Sequence, residues 1–331
     1  MPALFSKYYH LRSRLKGLPR DIAWQLGLNR QLVKKARGCR ILLYHGVCIR
    51  QPLQFNTLFL KLRSLEAQLR FYKKYFHIVS LDDYYYQRFS KERFNICFTF
   101  DDGFTNNYKY VLPLLEQYEI PAAFFITGIR EAGYDVLWND VLSLASKYGP
   151  DKIRFRNENF EKRGNGRYIS SVTGNLLVDN LRHTGFEEKA EMMNLLGSYK
   201  QKAEIDYWLQ MTQEEIKTLS ASKWVTIGSH GYYHNDLAKI PVEKAKEEIT
   251  RSKHYLEKIT NRAIKAIAFP YGLYTKNIVS AAKNAGYSQL LATEFQFHDD
   301  SGDAAIRERL TINPFISNIN QAHANFAGNN K

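Results

Sequence analysis

Short apolar runs alternate along most of the chain with longer stretches whose apolar residues recur every three or four positions. Arg40-Ile-Leu-Leu-Tyr-His45-Gly-Val47 reads as a buried strand ending at a histidine and a glycine, and Phe55 to Phe76 as a long helix with Leu58, Leu62, Leu65, Leu69 and Tyr72 on one face. A strand at His77 to Ser80, a helix opened by Leu81-Asp-Asp, the strand Phe94-Asn-Ile-Cys-Phe-Thr-Phe100, a helix over Tyr108 to Tyr118 and a strand from Pro121 to Thr127 follow. The alternation breaks between about Asp140 and Gln210, where the chain turns polar and two helices are predicted near Leu176 to His183 and Phe186 to Leu196. It resumes with a helix over Thr212 to Leu219 and the strand Trp224 to Ile227. Pro241 opens a helix whose buried stripe is Val242, Ala245, Ile249, Leu256 and Ile259. The strand Ala263 to Ala268, a helix to Ala285, the strand Tyr287 to Ala292 and a last strand from Arg307 to Ile312 complete the pattern. The Asn-rich end from Asn318 to Lys331 is expected to be disordered.

This β-α order predicts parallel strands joined by crossover helices, and about seven such repeats suit an α/β barrel related to the (β/α)8 type. The domain reading is a basic arm over 1–38, a barrel over 39–315 with an insertion at about 140–210, and a flexible tail over 316–331. A chain of 331 residues with 44% hydrophobic content can bury a sizeable core. Cys39, Cys48 and Cys97 are odd in number and lack zinc-knuckle spacing, so free thiols are expected.

Charge is concentrated at the start. Residues 1–40 hold ten Lys/Arg against Asp21 alone, which is nine of the fourteen net positive charges. Leu4, Tyr8, Leu11 and Leu15 recur among them at helical spacing, so this arm reads either as an amphipathic segment lying on an anionic membrane surface or as a solvated helix packed on the barrel. No run of apolar residues is long enough to span a bilayer, and the first thirty residues lack an apolar signal-peptide core. Cytoplasmic residence, at the inner membrane face if the arm binds lipid, is the default expectation. No nucleic acid is expected as a partner, because no aromatic-basic interleaving or nucleic-acid module accompanies the charge.

The candidate chemistry sits where predicted strands end. Asp101 and Asp102 follow the strand that finishes at Phe100, and Gly103 comes next. Strand side chains alternate faces, so adjacent carboxylates reach one site only where a strand gives way to a turn, which a glycine permits. Such a pair can divide labour, one carboxylate holding a metal and the other moving a proton. His230 and His234 are four apart, which on a helical turn puts both imidazoles on one side. With one carboxylate they make three protein ligands and leave an open position for water, the arrangement of a catalytic zinc. Zinc is the first choice for two imidazoles and a carboxylate; nickel or cobalt fit the same donors. Taken singly, each feature has a plain structural reading: Asp-Asp-Gly as a turn, the histidines as packed side chains, His45 as a core histidine. Taken together and in this order they specify a site.

Thr99-Phe-Asp101-Asp102-Gly103, Ser229-His230-Gly-Tyr-Tyr-His234 and Phe269-Pro-Tyr271-Gly272 resemble the three successive signatures of the polysaccharide deacetylases, the NodB-homology fold of carbohydrate esterase family 4. The resemblance covers roughly residues 38–315, interrupted by 140–210. It implies a distorted (β/α)7 barrel and hydrolysis of an acetamide on an N-acetylated sugar, in a cell-surface polysaccharide or its lipid-linked precursor. It also implies that Asp101 is the general base, that Asp102, His230 and His234 hold the metal, and that the backbone N–H of Tyr271 helps stabilise the oxyanion, since Pro270 has none to offer. Many members carry the catalytic acid in a late Leu-x-His, for which the nearby candidate here is His298, without the leucine. Leu43-Tyr44-His45-Gly46-Val47 instead looks like the branch that includes poly-β-1,6-N-acetylglucosamine deacetylases, where the N-terminal histidine is the acid, so His45 is preferred. The usual third signature also has an arginine two residues before the proline to orient the catalytic aspartate. Ala268 stands there, and Arg309 is the residue expected to compensate.

Three other readings compete. A deformylase or O-deacetylase would use the same scaffold, and a non-catalytic glycan-binding or membrane-surface protein would use the basic arm. Of the aromatics near the signatures, Phe104, Tyr232, Tyr233, Tyr271 and Trp138, only Tyr271 is expected to touch a ligand.

Overall fold

The computed structural model describes residues 15–49, 56–164, 166–202 and 207–327. Seven parallel strands close a barrel: β1 (Cys39–Tyr44), β2 (Asn95–Phe100), β3 (Ala122–Ile126), β4 (Val225–Ser229), β5 (Ala266–Ala268), β6 (Gln289–Ala292) and β7 (Ile306–Thr311). Closure occurs because β1 pairs on one side with β2, Leu43 opposite Thr99, and on the other with β7, Ile41 opposite Arg309. The short strand His77–Ile78 pairs beside the start of β2.

Strand parity decides what lies inside. Leu42, Phe98, Phe124, Ile267 and Leu290 pack in one cluster with helix residues such as Leu65, Leu69, Ile249 and Ile278, while Ile41, Cys97, Ala123, Phe125, Ala268 and Leu291 form a separate cluster. The first set faces the helices and the second fills the barrel. Tyr44, Phe100 and Phe124 stack across β1, β2 and β3 with ring centroids 5.1 and 5.0 Å apart. Each fully buried phenylalanine of this kind contributes about 2–3 kcal/mol by area removed from water. Helix starts are fixed locally: Thr212 and Glu215 form a reciprocal capping box at the helix Gln213–Ala221, and the Ser80 hydroxyl accepts from the Asp83 N–H at Leu81–Tyr85.

Three expectations change. The helix predicted from Phe55 begins only at Leu62, because Leu60–Lys61 pairs as a strand with Val47–Cys48 and leaves Leu58 exposed; Phe55 itself lies outside the described residues. The segment predicted as a flexible tail forms a helix over Asn318–Ala327. Its amides are used in packing rather than solvated: Asn320 Nδ2 donates to the Gly17 carbonyl (3.1 Å) and Asp21 (2.9 Å), and Asn325 Nδ2 to the Tyr72 hydroxyl (3.1 Å). Within the insertion the two predicted helices are present, Leu177–Arg182 and Phe186–Leu196. Beside them is an antiparallel sheet of Lys152–Phe155, Glu158–Arg163 and Arg167–Ser170, unexpected from the sequence. These elements and the helix Trp138–Tyr148 share a second core around Trp138, Phe160, Leu181 and Met192, at the end of the barrel that carries the candidate residues.

Candidate active site

Inward parity on β2 runs Cys97, Thr99, Asp101, so the first carboxylate points into the barrel mouth. Asp102 would face away on a continuing strand. Instead its backbone turns left-handed (φ +76°), as does that of Gly103 (φ +78°), and the side chain returns to the same mouth. A Cβ on Gly103 would meet the Ile126 side chain at 2.9 Å, so glycine is needed there for space as well as for φ. Among the described residues, seven non-glycine positions have positive φ, and Asp102, His234 and Tyr271 are three of them. Such backbone costs on the order of 1–3 kcal/mol per residue and persists where the surroundings impose it.

The two histidines converge by a different route from the helical turn expected for them. No helix covers 230–234. Gly228 lies opposite inward-facing Phe125, so His230, two residues on, points inward past the end of β4. The loop then reverses through Gly231 (φ +74°) and His234 (φ +58°) to return the second ring, whose centroid lies 5.1 Å from the first. His230 Nδ1 donates to the Ala268 carbonyl at 2.8 Å, which leaves its Nε2 lone pair toward the mouth. Both Nε2 atoms approach one oxygen, Asp102 Oδ1, His230 at 3.4 Å and His234 at 3.3 Å.

Arg309 reaches Asp101 from β7, across the intervening strand β1. Its Nη1 and Nη2 donate to the two carboxylate oxygens at 2.6 and 2.7 Å, and both side chains are buried. Arg309, expected to stand in for the arginine that Ala268 replaces, thus lies against the aspartate through both carboxylate oxygens. Burial alone would raise the Asp101 carboxyl, but Arg309, helped by His230, holds it below the usual carboxylate range. Asp102 sits well below that range, because the two imidazoles outweigh the same burial effect. His45 follows β1 and is half-buried; desolvation lowers its pKa, with Asp102, Asp101, His230 and Arg309 all close enough to act on it. The loop carrying it is held by Asn106 Oδ1, which accepts from the Val47 N–H at 2.8 Å. Tyr271 has left-handed backbone (φ +62°), and its ring lies 5.0 Å from that of His234. His298 is exposed at the start of the 3-10 turn His298–Gly302 and is not part of this cluster. Phe104, Trp138 and Tyr232 are fully buried.

Several residues around the site were not singled out from the sequence. Buried Glu248, on the helix Val242–Thr260, accepts from the N–H groups of Tyr233 (3.1 Å) and Asn235 (3.3 Å) and from Asn235 Nδ2 (2.9 Å), which fixes the loop bearing His234. The signal was present: Glu248 is a carboxylate on that helix's buried stripe, between Ala245 and Ile249. From the insertion, Lys189 Nζ donates to Asn235 Oδ1 (2.5 Å) and Trp138 Nε1 to the His234 carbonyl (3.3 Å). Arg182 lies 4.4 Å from the centre of the Tyr271 ring and donates to buried Asp236 at 3.1 Å. Asp140 is buried with Oδ2 unpaired among the described residues, and burial, reinforced by Asp102, pushes its carboxyl well above its ordinary value. In sequence it looked like an ordinary acidic residue in a helix's first turn.

Asp102, His230 and His234 offer one donor atom each within 4.8 Å of one another. Tetrahedral ligands about 2.1 Å from a zinc ion lie about 3.4 Å apart, which the Asp102–histidine distances match. A charge-assisted hydrogen bond would be shorter, at about 2.7–2.9 Å. The buried donor set therefore fits a divalent metal.

No curated protein sequence matches the chain. Solved structures share the fold: a Streptococcus pyogenes deacetylase, PplD, determined with acetate (TM-score 0.53, 18% identity, covering 87% of this chain and 97% of that one), and IcaB from Ammonifex degensii (TM-score 0.53, 18% identity, 88% and 98%). A polysaccharide deacetylase from Bacillus cereus aligns with a TM-score of 0.54 at 18% identity, over 87% of this chain and 68% of its own. The sequence profile for polysaccharide deacetylases matches residues 90–153 and 187–290, just over half of the chain, and the gap falls in the insertion. With the three signatures gathered at one barrel mouth, the chain belongs to the polysaccharide deacetylase family, hydrolases acting on carbon–nitrogen bonds other than peptide bonds.

Proposed function

We propose that the chain removes acetyl groups from an N-acetylated glycan, either a cell-surface polysaccharide or its lipid-linked precursor, using zinc held by Asp102, His230 and His234. The observation that carries this reading is the convergence of His230 Nε2 and His234 Nε2 on Asp102 Oδ1 at 3.4 and 3.3 Å, beside a second carboxylate that Arg309 keeps ionised. The metal supplies a Lewis acid that polarises the acyl oxygen and lowers the pKa of water. Asp101 takes the proton from the attacking water; its two oxygens each accept from Arg309 and keep further lone pairs for that purpose. The Tyr271 N–H is the candidate donor to the developing oxyanion. His45, at the end of the neighbouring strand β1, returns a proton to the leaving amine so that acetate and the free amine separate. The placement of an acid before the first signature favours the branch that includes poly-β-1,6-N-acetylglucosamine deacetylases.

The test is acetate release from N-acetylglucosamine oligomers by protein supplied with zinc, nickel or cobalt, with and without a chelator. Metal-dependent release is expected. A protein that binds none of these metals and releases no acetate would overturn the reading.

A further inference from the structure

The helical turns over residues 15–25 dock on the barrel with their apolar side turned away from it. Leu15, Leu18, Ile22 and Leu26 recur at helical spacing on the outer face, and Leu28 and Leu32 continue the surface; all six are between 48% and 75% exposed. Among the described residues twelve large apolar side chains are exposed, and six of them fall in these eighteen positions, so the clustering is a property of this surface rather than scatter. The inner face is held by other means. Trp24 packs edge-on against Phe71 (5.7 Å) and Tyr75 (5.2 Å), and Asn320 donates to the Gly17 carbonyl. Asp21, the single acid of this region, accepts from Ser317, just before the C-terminal helix, and from Asn320 on it, so its charge is spent on the inner side. Lys16, Lys34 and Lys35 are exposed beside the leucines, while Arg20 donates to Asn320 Oδ1 at 3.5 Å and Arg30 lies 6.0 Å from the Trp24 ring.

We propose that this face docks on an anionic lipid surface, the leucines and Ile22 entering the headgroup boundary while the surrounding Lys and Arg meet lipid phosphates. An apolar helix face ringed by cations is what interfacial binding needs: apolar area to bury, and charge to select acidic lipid. A second copy of the chain is the poorer occupant, because a two-fold contact through this face would bring the same cationic rim against itself. The expected helical stripe through Leu4, Tyr8 and Leu11 lies outside the described residues. Lipid docking by this face would not depend on chemistry at the barrel mouth.

The experiment is vesicle flotation of the full chain with phosphatidylcholine alone and with about 30% phosphatidylglycerol, at about 0.1 M and about 0.5 M salt. The parent is expected to float with the anionic vesicles only, and less at high salt. The variant L18E/I22E is expected to lose about tenfold or more in vesicle partitioning while keeping its thermal midpoint and its activity on soluble substrate. Should it fail to fold, K16E/K34E carries the same expectation. Equal flotation with neutral vesicles, unaltered binding by both variants, or a concentration-dependent dimer abolished by L18E/I22E in a protein that ignores vesicles would each overturn the proposal. Loss of acetate release in the parent would leave it standing, so the two readings fail separately.

Discussion

At the scale of single residues, three side chains from three strands, Asp101, Arg309 and His45, meet at the barrel mouth. Arg309 touches Asp101 through both carboxylate oxygens inside the barrel, and removing it leaves a buried carboxylate without its counter-charge. Arg309→Ala is expected to cost about 3–5 kcal/mol of stability, read by urea unfolding, and to lower kcat on N-acetylglucosamine oligomers by about a hundredfold. Arg309→Lys retains charge but not the two-pronged geometry, so it recovers part of the stability and less of the rate. His45→Ala is expected to reduce kcat by about 10²–10⁴ while metal content, read by elemental analysis, stays at the parent level; a loss of metal would make His45 a ligand instead of an acid. Asp101 and His45 were legible because each follows a predicted strand with a glycine close behind, whereas Arg309 lies within its strand and was singled out only because Ala268 stands where an arginine was expected. Asp140, Arg182 and Lys189 were not, because an isolated charge in a polar stretch gives no sign that a distant segment will bury it.

At the scale of elements, the loop 230–235 owes its shape to the parts around it. Glu248 caps its N–H groups, and Lys189 and Trp138 of the insertion hold Asn235 and the His234 carbonyl. Groups that orient a metal ligand typically matter by 10–100-fold in affinity, so Glu248→Gln is expected to weaken zinc binding in competition with a chromogenic chelator by about that factor. An unchanged affinity would show that the loop holds itself. Burial lowers the Lys189 ammonium to about 8, with Glu248, Asp236 and Glu188 opposing the shift. The unfolded lysine titrates near 10.4, so between about pH 8 and 10.4 the unfolded chain binds the extra proton and stability rises with pH. The parent should gain up to about 3 kcal/mol over Lys189→Met across that window, and parallel urea midpoints for the two proteins would remove the assignment. Helical periodicity exposed most helices in the sequence. The sheet over 152–170 was missed because polar and charged residues fill most of its strand positions, and the helix Asn318–Ala327 because composition does not reveal that its amides bond across the fold.

For the whole molecule, closing seven strands into a ring brings residues from positions 45, 101, 102, 230, 234 and 309 to one mouth. The β-α order predicted the barrel, and the strand-end placement of the signatures predicted the mouth. What the sequence could not show is how the insertion seats its own core beside that mouth, since this depends on tertiary packing rather than period. A metal that binds only the folded ring stabilises it by mass action, so zinc is expected to raise the thermal midpoint of the parent but not of Asp102→Ala. The central claim is a division of labour between adjacent carboxylates, and the direct measurement is metal content and acetate release side by side for Asp101→Asn and Asp102→Asn. Asp101→Asn is expected to keep near-stoichiometric metal and lose acetate release, while Asp102→Asn is expected to lose both. An Asp101→Asn protein without metal, or one still releasing acetate at the parent's rate, would contradict it.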